Sequence, residues 1–175
     1  RQILTENGYV EIGMDHFALP SDSLYKADVS QKLHRNFMGY TSRRTDILLG
    51  LGVSAISETP TCFHQNEKVL PVFERRVKAG ELPTFRGHLL TDEDREAREQ
   101  ILALMTRWET PISPKQAPDI REFLAPLIAD GLVTVTDTKL AMTPQGRPFL
   151  RNACMALDRR LRVKAPQTKI FSQSM

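Results

Sequence analysis

Apolar positions along the chain change period several times, and these changes predict alternating helices and strands. Residues 1–8 read as the end of a helix closed by Asn7-Gly8, where glycine supplies the left-handed cap. A chain that opens near the end of a helix is expected to lack its beginning. Residues 9–14 alternate weakly between turn signals, as a buried strand after a helix would. Residues 15–20 are then the loop at that strand's C-terminal end, the edge at which parallel α/β barrels place their chemistry. Residues 21–32 are polar with helical potential, capped by Ser21, Asp22 or Ser23. The apolar run 47–56 is too rich in glycine for a helix and apolar enough to be buried on both faces. It predicts a central parallel strand whose Gly50 and Gly52 mark close backbone approach.

Farther along, Val69, Leu70, Val72, Phe73 and Val77 approach helical spacing over residues 66–79, and Gly80 ends the segment. Pro71 moves the expected start toward Leu70, because proline suits only the first turn. Residues 84–90 read as an extended crossing between two compact parts. Thr91 then caps a helix whose first turn is acidic and whose apolar stripe is Ala97, Ile101, Leu104, Met105 and Trp108. Pro111, Pro114 and Pro118 break the chain before a helix over 119–129 that buries Ile120, Phe123, Leu124, Leu127 and Ile128. A hairpin follows, with strands 132–136 and 139–142 around Asp137-Thr138, and Thr143-Pro144-Gln145-Gly146 leads into a last helix ending near Arg162. This order is the outline of a winged-helix-like unit. The tail from Pro166 is expected to be ordered only where it docks.

Composition narrows the class. With 41% hydrophobic and 26% charged residues the 175-residue chain is an ordinary globular sequence, able to bury about 70% of its unfolded surface. No apolar run approaches the roughly 20 residues of a membrane span, and the N-terminus carries no secretory pattern, so the expected location is cytoplasmic. Cys62 and Cys154 read as isolated reduced thiols. His16, His34, His64 and His88 do not stack on one helix face, so no metal site is expected. The net charge of +3 is dispersed, unlike the basic face of a nucleic-acid binder. The would-be recognition helix offers Asp119, Arg121, Glu122 and Asp130, which disfavour phosphate. Arg159, Arg160, Arg162 and Lys164 close the last helix. They read as a solvated terminus at the negative end of the helix dipole, or, more sharply, as cations that attract an acidic substrate.

Candidate chemistry concentrates between residues 34 and 57. His34-Arg35-Asn36-Phe37-Met38-Gly39-Tyr40-Thr41 is a polar, ring-bearing loop, followed by a strand of small residues, Gly50, Gly52, Ser54 and Ala55. These leave room for a flat ligand, and backbone amides near Ile56 can bond a purine edge. Tight packing within a barrel explains the same glycines equally well.

Taken together, Gly13-Met14-Asp15-His16-Phe17-Ala18, the block 34–41, the block 46–57, Gln65-Asn66, Arg86-Gly87 and Leu150-Arg151-Asn152-x-Cys154-Met155 resemble the C-terminal portion of the oxygen-independent coproporphyrinogen III oxidases. The resemblance covers nearly the whole chain. It implies an α/β fold: residues 1–90 as the C-terminal part of a radical S-adenosylmethionine (β/α) barrel, and residues 91–175 as a mainly helical, winged-helix-like domain with a small hairpin. It also implies a parent oxidoreductase of heme biosynthesis that decarboxylates two propionates of coproporphyrinogen III oxidatively to give protoporphyrinogen IX.

In that family a [4Fe-4S] cluster on a Cys-x-x-x-Cys-x-x-Cys motif reduces S-adenosylmethionine to a radical that abstracts a propionate hydrogen. The motif is absent from this sequence. The chain alone is therefore expected to be inert, with no catalytic or metal-binding residue of its own. Carried over by position, Ile56 contacts S-adenosylmethionine. Met38 falls beside a second S-adenosylmethionine, where family members carry Gln, and a thioether cannot reproduce amide hydrogen bonds. The stretch between Trp108 and Asp119 is shorter than in familiar members.

Implied partners are the missing N-terminal part of the same polypeptide, coproporphyrinogen III and an electron donor, without nucleic acid or membrane, in a monomeric enzyme. A heme-chaperone paralogue is the alternative reading and a winged-helix binding module the third. A cut barrel would leave unpaired strand edges, so self-association or partial disorder is expected before about residue 90, with the C-terminal part the more stable half.

Overall fold

The computed structural model describes residues 1–163, so Lys164 and the segment from Pro166 lie outside the described residues. Helix α1 (Gln2–Glu6) ends at Asn7, with Gly8 at φ +80°, and leads into β1 (Val10–Gly13). The chain then reverses at Met14 (φ 52°), and β2 (His16–Ala18) returns antiparallel, pairing Val10 with Ala18 and Glu11 with Phe17. Residues 15–20 are thus the return arm of a hairpin instead of a loop after a parallel strand. Two strands of three or four residues pair across a tight turn without the long crossover that parallel pairing needs.

Helix α2 (Ser23–Val29) starts at Asp22, whose carboxylate accepts the Leu24 N–H at 2.7 Å. A second hairpin, β3 (His34–Asn36) with β4 (Gly39–Thr41), replaces the expected polar loop. Ile12, Ala18, Ala27 and Leu33 form a small core, with Leu24, Tyr25 and Tyr40 packed against it.

The run 47–56 is not a buried parallel strand. Leu49 and Leu51 are 67% and 91% exposed, and before residue 56 only Leu48 pairs, in an isolated antiparallel bridge to Glu58. Gly52 at φ +98° and Ser54 at φ 60° turn the chain instead of extending it. Regular structure resumes at β5 (Ile56–Glu58), which joins β6 (Cys62–Asn66) and β7 (Thr84–Leu89) in an antiparallel sheet of order β5-β6-β7. Helix α3 (Leu70–Lys78) connects β6 to β7, with Pro71 in its first turn and Gly80 at φ +76° beyond its end. Residues 84–90, expected as a bare crossing, are largely this third strand. Among the described residues every strand pairing is antiparallel, so the mixed α/β composition stands while the expected parallel layer does not.

The second half is built on α4 (Asp92–Arg107). Thr91 and Asp94 form a reciprocal capping box, and Trp108 ends the helix in the left-handed region at φ 65°. Strand β8 (Glu109–Pro111) carries no pattern that periodicity detects. The expected single helix 119–129 is two: α5 (Ala117–Phe123) and α6 (Ala125–Ala129), parted at Leu124 because Pro126 cannot donate a helical hydrogen bond. Pro118 sits in the first turn of α5, where it is tolerated. Strands β9 (Val133–Val135) and β10 (Lys139–Met142) form the expected hairpin, and β8 adds on the other side of β10. A 3₁₀ turn (Arg147–Phe149) leads into α7 (Leu150–Met155), and α8 (Arg159–Val163) follows as a separate piece. The three strands form an antiparallel sheet of order β8-β10-β9. Leu104, Ile120, Leu124, Val133, Leu140 and Leu150, each at most 2% exposed, centre the core of this half.

Candidate active-site cleft

The β3–β4 hairpin turns through Phe37-Met38, and the Asn36 side chain accepts the Met38 N–H at 2.8 Å. Arg35 and Tyr40 face each other across the hairpin, the guanidinium lying 4.9 Å from the ring centroid. The Tyr40 hydroxyl donates to the Met105 carbonyl at 2.8 Å, which ties the hairpin to α4. Burial pushes its pKa up to about 12, so the phenol stays protonated.

Two glycines make this arrangement possible. A Cβ on Gly13 would lie 2.5 Å from the Tyr40 hydroxyl, and one on Gly39 would lie 3.1 Å from His16 Nε2. His16 packs edge-on against Tyr40 at 5.1 Å and meets Asp15 at 3.0 Å. The Asp15 carboxyl is held below its usual range, first by its own backbone hydrogen bond. Thus the block 13–18 is a buttress for the block 34–41, a relation that lies in their packing and not in either motif.

Between this hairpin, β5, β6 and α4 lies a cleft of about 510 Å³. Phe37 and Phe63 meet edge-to-face at 5.4 Å and, with Ala97, Ile101 and Met105, supply its apolar walls. Its polar groups are largely spent on one another. Arg98 lies 5.1 Å over Phe63, pairs with Glu58 and donates to the Thr59 carbonyl at 3.0 Å. Asp94 accepts from Thr91 (2.9 Å), His88 (3.1 Å) and Arg160 (2.9 Å). The Arg160 guanidinium, chiefly, holds its carboxyl well below the ordinary range. Buried His34 has its pKa lowered by desolvation and then by the Arg44 cation.

Neither of the two residues carried over by position lines this cleft. Ile56 is half-buried on β5, two residues before cleft-lining Glu58, and Met38 is 87% exposed at the turn beside cleft-lining Phe37. Glu58 exchanges both backbone bonds with Leu48 at 2.8 Å on the side of β5 away from β6. By strand alternation the Ile56 peptide faces that same side. There Gly50 lies against it, since a Cβ at Gly50 would come 2.6 Å from the Ile56 carbonyl oxygen. Gly50 is therefore required by the chain's own packing, while Gly52 has open space around it.

The loop 49–55 is fastened from below. Asn66 Nδ2 donates to the Gly50 and Gly52 carbonyls at 3.2 and 2.9 Å, Gln65 Nε2 donates to the Ser54 carbonyl at 2.9 Å, and Arg86 Nε holds the Gln65 amide oxygen at 3.1 Å. Sequence reasoning singled out these blocks without their shared task; the adjacent amides Gln65-Asn66 were the available signal.

Two cations at the end of the last helix are paired within the fold, while Arg159 is exposed and Lys164 lies outside the described residues. Arg160 pairs with Asp94 and Arg162 with Asp119. Among the described residues no group of three or more His, Cys, Asp or Glu is placed to hold a metal ion, and no helix is long and apolar enough to cross a membrane.

The chain is similar to oxygen-independent coproporphyrinogen III oxidases. That of Escherichia coli (strain K12) is 40% identical over 173 residues, a match covering 93% of this chain and 38% of the relative. That of Salmonella typhimurium is 39% identical, with the same coverage, and that of Bradyrhizobium diazoefficiens is 35% identical over 167 residues, covering 90% of the chain and 37% of the relative. A solved structure, coproporphyrinogen III oxidase from Escherichia coli, described as a radical SAM enzyme, superposes with a TM-score of 0.83 at 39% identity, over 91% of this chain and 39% of that one. The chain is homologous to the C-terminal portion of oxygen-independent coproporphyrinogen III oxidase. No family model matches it. It spans somewhat more than a third of the length of the oxidases it matches. The oxidase blocks 13–18 and 34–41 build the hairpin wall of the cleft, and the blocks 46–57, 65–66 and 86–87 build the fastened loop beside it.

Proposed function

We propose that this chain serves as the C-terminal portion of an oxygen-independent coproporphyrinogen III oxidase and contributes one wall of the cavity in which coproporphyrinogen III is decarboxylated to protoporphyrinogen IX. The observation that carries the reading is the aromatic and apolar cleft under the 34–41 hairpin, built from the segments shared with the oxidases. Phe37, Phe63, Ile101 and Met105 exclude water from the tetrapyrrole macrocycle, and the β3–β4 hairpin, pinned to α4 by Tyr40, fixes its orientation.

The chain does not fit a [4Fe-4S] cluster. Its two cysteines, Cys62 and Cys154, stand on β6 and α7, and neither belongs to a three-cysteine motif. Cluster ligation falls to the N-terminal part of the polypeptide, which is this chain's first partner, together with an electron donor; the assembled enzyme is monomeric. The chain alone is inert.

Ile56 suits contact with S-adenosylmethionine. Its side chain is half-buried on β5, and the residues before it in the chain, Gly52, Ser54 and Ala55, are small. When bound, that cofactor supplies the radical that removes a propionate hydrogen. Met38, exposed at the hairpin turn, stands beside a second S-adenosylmethionine through van der Waals contact alone, since its thioether has no amide to offer. Residues 1–90 form the barrel part and 91–175 the helical domain, a division supported by the two separate core clusters.

An anaerobic assay of the complete polypeptide with coproporphyrinogen III and S-adenosylmethionine tests the reading. Vinyl product is expected from the complete polypeptide and none from the 175-residue chain. Absence of vinyl product with an intact cluster overturns the oxidase reading, and retention of heme under those conditions points to the chaperone paralogue.

A further inference from the structure

Among the described residues, one buried side-chain nitrogen or oxygen is left without a hydrogen-bond partner: Nη1 of Arg35. Buried donors are almost always paired, so an orphaned nitrogen on a half-buried arginine calls for an explanation. Arg35 lines the cleft and takes part in no ion pair among the described residues. The twelve residues beyond them, Lys-Ala-Pro-Gln-Thr-Lys-Ile-Phe-Ser-Gln-Ser-Met, contain no Asp or Glu side chain. Asp15 and Asp28 act on the Tyr40 phenol, but neither is ion-paired with Arg35. The Tyr40 phenol below the guanidinium and the Cys154 thiol are both pushed up to about 12 by burial, and so stay neutral. The other arginines of the cleft are already committed, Arg98 to Glu58 and Arg160 to Asp94. Arg35 thus holds the cleft's one uncommitted guanidinium, beside an apolar aromatic wall.

We infer that Arg35 is the residue that anchors a carboxylate of the macrocyclic substrate in this cleft, receiving one propionate while Phe37 and Phe63 cover the adjoining ring edge. The inference rests on the proposed oxidase function for the identity of the ligand, whereas the carboxylate subsite rests on Arg35 itself. Arginine suits the task because its planar fork meets carboxylate oxygens in pairs, and the Tyr40 ring fixes the plane of the fork.

The test uses the complete polypeptide and fluorescence titration with coproporphyrin III, the stable oxidised tetracarboxylate, and with its tetramethyl ester. Arg35→Gln is expected to weaken coproporphyrin III binding about 10- to 100-fold, the usual cost of a lost charge-assisted hydrogen bond. Arg35→Lys should recover part of this, and the ester should bind both forms alike. Equal binding of coproporphyrin III by wild type and Arg35→Gln overturns the inference.

A crystal structure of the wild-type polypeptide soaked with coproporphyrin III keeps the question open to test where the variants fail to fold. A ligand carboxylate on Nη1 supports the inference, and a protein carboxylate or water alone there overturns it. A soak with propionate separates the two readings. Propionate on Nη1 in a protein that binds no porphyrin leaves the subsite standing and removes the oxidase reading. Porphyrin bound with Arg35 untouched does the reverse.

Discussion

Gly50 and Gly146 lack side chains for a steric reason and not for backbone freedom. A Cβ at Gly50 would stand 2.6 Å from the Ile56 carbonyl oxygen, and one at Gly146 would stand 1.8 Å from that of Leu132, although Gly146 has an ordinary φ of −80°. Gly146→Ala should therefore destabilise the C-terminal half by about 3 kcal/mol or more, and Gly50→Ala by roughly 1–3 kcal/mol, because each forces backbone to move. Urea unfolding followed by circular dichroism reads both, and a change below about 0.5 kcal/mol at Gly146 would contradict the packing described. The cysteines differ in the same residue-level way. Cys154 is buried and its thiol is pushed up to about 12, so a thiolate-selective disulfide reagent should modify half-exposed Cys62 first and reach Cys154 only on unfolding. Close approach at Gly50 was legible in the sequence as a glycine in an apolar run. At Gly146 the sequence pointed only to a turn, since the obstructing carbonyl comes from across the hairpin.

Helix α8, five residues long, is too short to hold itself together in water, and its arginines reach back to other elements. Arg160 grips Asp94 at the start of α4, and Arg162 grips Asp119 in the first turn of α5. Both carboxyls are held below their ordinary range, Asp94 chiefly by Arg160 and Asp119 chiefly by Arg162. Such carboxylates stabilise the fold fully above the unfolded-state value, about 4, and lose that contribution as pH falls through the lower folded-state values. Asp94→Asn should thus cost about 1–2 kcal/mol at pH 7, as expected for a lost cap and charge-assisted bonds, and progressively less toward pH 3. Chemical denaturation at several pH values checks this, and a gap that widens in acid would reverse the sign. Sequence located the cap at Thr91, the β9–β10 hairpin and the start of α3, because caps, prolines and turn residues act within a few residues. It read α5 and α6 as one helix, because Leu124, Leu127 and Ile128 keep the apolar period across the break. It read the arginines as a free terminus, because their partners lie 43 and 66 residues away.

Two cores divide the molecule unequally. The larger joins α4, α5, α7 and the β8–β10–β9 sheet, and the smaller is centred on Ile12, Ala18, Ala27 and Leu33. Hydrogen exchange should accordingly be slowest in α4, α5 and β10 and fastest in the loop 49–55, and stronger protection of β1 than of α4 would overturn that order. Ile47, Leu49, Leu51, Phe37 and Met38 stand largely exposed beside the cleft. The 175-residue chain by itself should therefore associate with rising concentration in sedimentation runs, and the complete polypeptide should not. The expected cause changes with the structure: exposed apolar side chains on an irregular loop, in place of the unpaired edges of parallel strands. By itself the sequence determined the order of most helices, the β9–β10 hairpin, and the likeness of its scattered blocks to one family, since all of these are encoded in local spacing and residue identity. Only the tertiary structure decided that the blocks 13–18 and 34–41 meet, that Asn66 and Gln65 fasten the loop 49–55, and that Arg35 keeps a buried nitrogen without a partner among the described residues. Those are facts about pairing between distant residues, and a residue's neighbours across the fold are not written in its own stretch of chain.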